Sequence, residues 1–202
     1  MIDRTEIPGY TGCGKEAAAM SNEEIKKLAE DLGFDPKVGE LPARLVPCDA
    51  TMRRFCVQNL CGQYKRCWQC PPAVGSAETL IAQLHNYKDA LVFTNEYPCT
   101  DYKDKEQIDK MHVAHERRSQ LLWMSMQKLG YSKKNARVLT VGGCHLCPEC
   151  ACITGEPCRH PDIACPSLSA YCVDCTELGK LTGQNFAGER GGCVFIAIVL
   201  LK

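Results

Sequence analysis

The chain is 202 residues long, 45% hydrophobic, with 24 Lys+Arg, 24 Asp+Glu and 16 cysteines. That length suits one domain with a sizeable core, and zero net charge excludes a general pull toward nucleic acid or an anionic membrane. No apolar run reaches membrane-span length and the start lacks a basic-then-apolar leader, so a cytoplasmic setting is expected, where so many cysteines argue for metal ligation rather than disulfides.

Residues 1–202 read as a single domain with cysteine-rich segments at 48–72 and 144–175. Gly9-Tyr-Thr-Gly-Cys-Gly14-Lys15-Glu16 nearly matches a phosphate-binding loop, but Glu16 replaces the hydroxyl that magnesium needs and no strand precedes it. Ser21 to Gly33 predicts a helix with Ser21 as N-cap and Glu24 completing a capping box. A strand is expected over Ala43–Val46, a helix over Ser76–Tyr87 and a buried strand over Ala90–Thr94. The longest helix is expected from about Asp104 to Leu129, with Ile108, Met111, His115, Leu122, Met126 and Leu129 at helical spacing and Gly130 closing it. A strand over Ala136–Val141, a helix around Leu168–Leu181 and a strand over Cys193–Leu201 complete the pattern. Strands that alternate with helices and are apolar on both faces predict an α/β fold. Its central sheet is expected to be mostly parallel, with flanking helices and cysteine-rich loops at the strand ends.

Cys144, Cys147, Cys150 and Cys158 carry the strongest chemical signal. A C-x2-C-x2-C turn supplies three thiolates to an iron–sulfur cube, one per iron, and the fourth arrives from farther along. Pro148 and Pro157 keep this loop out of helix, while Gly142 and Gly143 let amides turn toward sulfur. Cys56, Cys61, Cys67 and Cys70 form a second group at looser spacings, ending in Cys70-Pro71-Pro72. Structural zinc is the alternative at both, since C-x2-C is also a zinc knuckle. If Cys67 is not a ligand, one iron of the first site is left for an outside ligand or for Cys48. Cys165, Cys172 and Cys175, with Cys152, are candidates for a third site, Cys172 and Cys175 sharing a face if helical. Cys13, Cys48, Cys99 and Cys193 are solitary. His115 reads as a satisfied core histidine, whereas His145 and His160 flank ligands and suit donation to sulfur.

The chain resembles a prokaryotic family of predicted metal-binding proteins from about Cys56 to Gly183. The resemblance rests on Cys56-x4-Cys61-x2-Tyr64, Cys70-Pro71-Pro72, Cys144-x2-Cys147-x2-Cys150-x7-Cys158-Arg159-x-Pro161, Pro166-Ser167-Leu168 and Asp174. It implies metal binding by Cys56, Cys61, Cys70, Cys144, Cys147, Cys150 and Cys158, of an iron–sulfur kind. The chain departs from that pattern at Cys67, Ser169, Cys172 and Cys175.

The function expected is an iron–sulfur protein with two [4Fe-4S] clusters that passes single electrons to or from a redox partner protein. No nucleic-acid or membrane partner is expected, and no residue is marked as catalytic. An anaerobic setting suits exposed thiolates and clusters. The alternatives are an iron–sulfur enzyme with an open iron acting on a small substrate, and a zinc-stapled interaction or metal-delivery module.

Overall fold

The computed structural model describes residues 21–184 and 192–202; Cys13 and the loop-like segment 9–16 lie outside them. Helix α1 (Asn22–Asp31) starts as its sequence predicts. The Ser21 hydroxyl accepts from the Glu24 amide, and the Glu24 carboxylate accepts from the Ser21 amide, which satisfies two donors that a helix start leaves free.

Strand β1 is Gly39–Pro42, and the strand expected at Ala43–Val46 is instead a 3-10 turn at Ala43–Leu45. Gly39 and Leu41 point inward while Glu40 and Pro42 point outward. An edge strand tolerates a proline that has no amide to donate, so glycine and proline disguise a real strand here. Helix α2 (Arg53–Val57), helix α3 (Ala77–His85) and strand β2 (Asp89–Pro98) follow. Helix α4 (Lys105–Lys128), capped by Asp104, matches the long helix expected, and strand β3 is Ala136–Leu139. The expected helix over Leu168–Leu181 is divided. Ser169–Tyr171 is a 3-10 turn, Cys172 takes left-handed backbone at φ 58°, and Asp174 caps helix α5 (Cys175–Thr182). Cys172 therefore precedes the helix and shares no helical face with Cys175. Strand β4 (Gly192–Leu201) ends the fold.

The sheet order is β1-β2-β4-β3 and every neighbouring pair is antiparallel, with β2 and β4 matched from Asp89↔Leu201 to Pro98↔Gly192. This corrects the mostly parallel sheet expected from sequence. Strands β2 and β3 do run in the same direction around α4, because both oppose β4, but β4 lies between them. Strands apolar on both faces report burial on both faces; strand direction depends on where the last strand inserts.

Alternate strand residues serve opposite faces. Leu91, Phe93, Ala197 and Val199 pack against Ile25 of α1 and Leu122, Trp123 and Met126 of α4. Val92, Ile198 and Leu200 pack against Leu80 and Leu84 of α3 and Leu178 of α5. Each large side chain fully buried in these two layers contributes roughly 2 kcal/mol. Among the described residues no helix is long and apolar enough to cross a membrane.

One short segment roots both cysteine loops. Thr140, just after β3, pairs in parallel with Ser167, through Thr140 N–H to Pro166 O at 3.0 Å and Leu168 N–H to Thr140 O at 2.8 Å. On the other side Cys48 bridges Val173, through Asp49 N–H to Cys172 O at 2.9 Å and Asp174 N–H to Pro47 O at 2.8 Å. Residues 166–174 thus tie the start of the first loop to the base of the second.

Candidate metal centre

The first loop folds through residues that accept left-handed backbone. Asn59 (φ 55°), Gly62 (φ 74°) and Lys65 (φ 63°) turn the chain after α2, and the Asn59 side chain accepts from the Tyr64 amide at 2.9 Å. Cys56 therefore sits on α2, Cys61 on an exposed turn, and Cys67 and Cys70 in a tight turn closed by Cys70 N–H to Cys67 O at 3.1 Å. Arg53 donates to Ala170 O at 2.7 Å and fixes α2 to the root segment.

The second loop is held from beneath by α4. Glu116, only 1% exposed, accepts from the His145 amide at 3.0 and 3.2 Å, from His145 Nδ1 at 2.5 Å and from Gln120 Nε2 at 2.7 Å. That hydrogen bond to Glu116 holds the His145 pKa above its ordinary value. Arg159 donates to Glu149 O at 2.8 Å and brings the Cys158 end back to the Cys147–Cys150 turn. Trp123 Nε1 donates to Asp162 O at 2.7 Å, which pins the far end of the loop to α4.

The two loops pack on each other. Trp68 Nε1 donates to Glu156 O at 2.9 Å. Gln63 fills the space beside Gly143 so closely that a Cβ there would lie 2.5 Å from Gln63 Cγ. Cys67, fully buried, accepts the Gln69 amide hydrogen at 3.4 Å and lies beside Cys70 and the Cys144 amide. Cys70 and the neighbouring amides draw the Cys67 thiol below its ordinary value against the opposing effect of burial, while Cys70, its coupled neighbour, is pushed up. Amides aimed at a buried sulfur favour the thiolate, the form that binds metal. Burial pushes Cys144 up, though the Leu146 amide counteracts it.

A cavity of about 310 Å³ opens on the first group, lined by Cys56, Cys61 and Cys70 together with Tyr64, His112 and Cys175. It has the volume of roughly ten water molecules, more than one ion fills. Cys67 lies outside its lining. Among the described residues no three His, Cys, Asp or Glu side chains converge tightly enough to grip one ion. The donors present are thiols, which select zinc, copper(I) or iron–sulfur clusters over hard cations.

The other candidates separate. Cys165 is buried among Leu122, Trp123 and Val138, where burial pushes its thiol up to about 12. Cys152 stands near Cys150 instead. Cys172 and Cys175 neighbour Cys48, whose thiol burial pushes up to about 12 with their help, so these three meet where sequence grouped Cys172 and Cys175 with Cys152 and Cys165. His115 is a core residue: it is fully buried, Nδ1 lies 3.1 Å from Asn95 Oδ1, and burial lowers it to about 3. Glu116, Gln63, Trp68 and His112 escaped sequence reasoning. The signal for Glu116 was an acid on the apolar face of α4; the other three had none.

Replacing Gly143 by alanine is expected to push Gln63 aside and loosen the contact between the loops. Anaerobically loaded G143A protein should lose metal to a chelator about tenfold faster than the parent, in line with the cost of removing supporting contacts. Equal release rates would show that the loops hold metal independently.

A family model described as predicted metal-binding protein (DUF2284) matches residues 39–201. No curated protein and no solved structure matches the chain.

Proposed function

We propose that this chain, which belongs to the DUF2284 family of predicted metal-binding proteins, holds two [4Fe-4S] clusters and passes single electrons to or from a redox partner protein. Cys56, Cys61, Cys67 and Cys70 hold one cluster; Cys144, Cys147, Cys150 and Cys158 hold the other. The observation that carries this proposal is the meeting of the two groups at Cys67, beside Cys70 and under the Cys144 amide. Sites that share a wall suit electron exchange between them, whereas two structural staples have no need to touch. Bound clusters supply one-electron chemistry; the chain supplies thiolates, amides that favour charge on sulfur, and the apolar sheet edge that limits water. Anaerobically loaded protein should contain about eight irons and eight sulfides per chain. Stoichiometric zinc without iron would remove the proposal in favour of a stapled interaction or metal-delivery module.

The cavity supports a second reading, an enzyme. If Cys56, Cys61 and Cys70 alone held the first cluster, one iron would lack a protein thiolate and would be open to a small substrate as its ligand, at the cavity that those thiols line. Cys67→Ser separates the two. If Cys67 is a ligand, about four of eight irons become labile; if the first site is open, the variant keeps all of its iron.

A further inference from the structure

The stretch between Asp49 and Glu78 contains Arg53, Arg54, Lys65 and Arg66 and no acidic residue, in a chain whose charges balance at zero overall. Arg53 is committed inward, donating to Gly75 O and Ala170 O. Arg54, Lys65 and Arg66 are exposed. The Arg54 guanidinium lies 4.9 Å from the Phe55 ring centre, and the Lys65 ammonium lies 5.7 Å from that of Tyr64. Asp49, at the edge of the stretch, is the acid that Arg54 influences.

The same surface exposes apolar bulk. Phe55 is 50% exposed, Val57 59% and Leu60 85%, and all three stand on α2 or in the turn after it, either side of Cys56 and just before the exposed Cys61. Val57 and Tyr64 line one groove of about 350 Å³ with Pro71 and Pro72, which places the helix and the Lys65 turn on a common side. Leu45, Tyr102, Ile153 and Leu181 are exposed as well, but they are scattered along the chain, whereas Phe55, Val57 and Leu60 fall within six residues, and grouped exposed apolar residues mark contact surfaces. Around α2 Arg54 lies between Phe55 and Val57, so apolar and cationic side chains interleave on this surface, a mixture that suits a small, transient interface.

We propose that this surface docks an acidic one-electron carrier protein, Phe55, Val57 and Leu60 making the apolar contacts and Arg54, Lys65 and Arg66 steering the approach. The proposal rests on the cluster reading above and adds to it the chemistry of the partner and the point of entry. Charge complementarity selects the occupant. A basic carrier is repelled, and a second copy of this chain would set the same cations against themselves. Docking here brings the partner to the Cys56 and Cys61 side of the first site, so one electron crosses between partner and cluster with no bond made or broken and no proton moved. Attraction between opposite patches raises the encounter rate, and salt screens it.

The test uses the anaerobically loaded full chain mixed with a reduced acidic [2Fe-2S] ferredoxin in stopped flow. The transfer rate should fall tenfold or more as ionic strength rises from about 0.01 M to about 0.3 M, over which range the screening length shrinks well below the size of the patch. The triple variant R54E/K65E/R66E should lose tenfold or more at low salt while keeping the iron content of the parent. Leu60→Ser should slow transfer and leave the salt dependence unchanged. A rate independent of salt, or a triple variant as fast as the parent, overturns the docking surface. The cluster reading is checked apart from this, by iron content and by reduction with dithionite. Protein that takes up no iron overturns both, whereas protein that loads and reduces normally but meets ferredoxin without salt dependence overturns the docking alone.

Discussion

Serine at both Cys147 and Cys150 is expected to lower the iron content of anaerobically loaded protein from about eight to about four per chain. These two residues supply half of the thiolates of the second group, and a hydroxyl is a poor substitute for a soft ligand. The remaining iron is expected in the first loop, whose thiols hang from α2 and from the Cys67–Cys70 turn and not from the altered segment. The variant should keep its folded core, since both packed layers of the sheet lie away from residues 147–150. Iron quantitation checks the outcome. Loss of all eight irons would mean that the loops form one site, and no loss would mean that the second group holds none.

Glu116→Leu is expected to cost about 3 kcal/mol of stability, the low end for breaking a buried charged pair by removing one partner. The low end applies because the His145 side chain is 37% exposed while Glu116 is 1% exposed, so water screens half of the pair. Leucine leaves the His145 amide, its ring nitrogen and Gln120 Nε2 without the acceptor they share, and unpaired buried donors are expensive. For a chain of this length the loss corresponds to a midpoint lower by about 9 °C. Glu116→Gln keeps an acceptor and should lose less. The pair also has a pH sense. With His145 held above its ordinary value, its contribution is complete below about pH 6.5 and fades as pH rises through the folded pKa. Thermal unfolding of both variants across that range checks the expectation, and an E116L protein as stable as the parent would contradict it.

Much of the chain announces itself locally. Ser21 with Glu24, Ser76, and Asp104 each cap the helix their spacing promised, because capping is chemistry between residues three apart. Strands β2 and β4 are legible as apolar runs for a similar reason. Their direction is not, since it depends on β4 entering between β2 and β3, a choice made across more than fifty residues. The break at Cys172 was hidden because its left-handed backbone is stabilised by the root segment and not by its own type. The cysteine spacings told which thiols belong to one loop. They said nothing of Gln63 beside Gly143 or Trp68 beneath Glu156, contacts that exist only once both loops stand on residues 166–174. The run without acids around Arg54 and Lys65 took on meaning only with the exposure of Phe55, Val57 and Leu60, which the sequence does not announce.

The most direct measurement is low-temperature electron paramagnetic resonance of the anaerobically loaded, dithionite-reduced chain. Two neighbouring cubes meeting at Cys67 predict two [4Fe-4S] signals broadened by magnetic interaction, which simplify to one unbroadened signal when Cys147 and Cys150 are replaced. A colourless, silent protein containing zinc would contradict the account, as would a single signal that the replacement leaves unchanged.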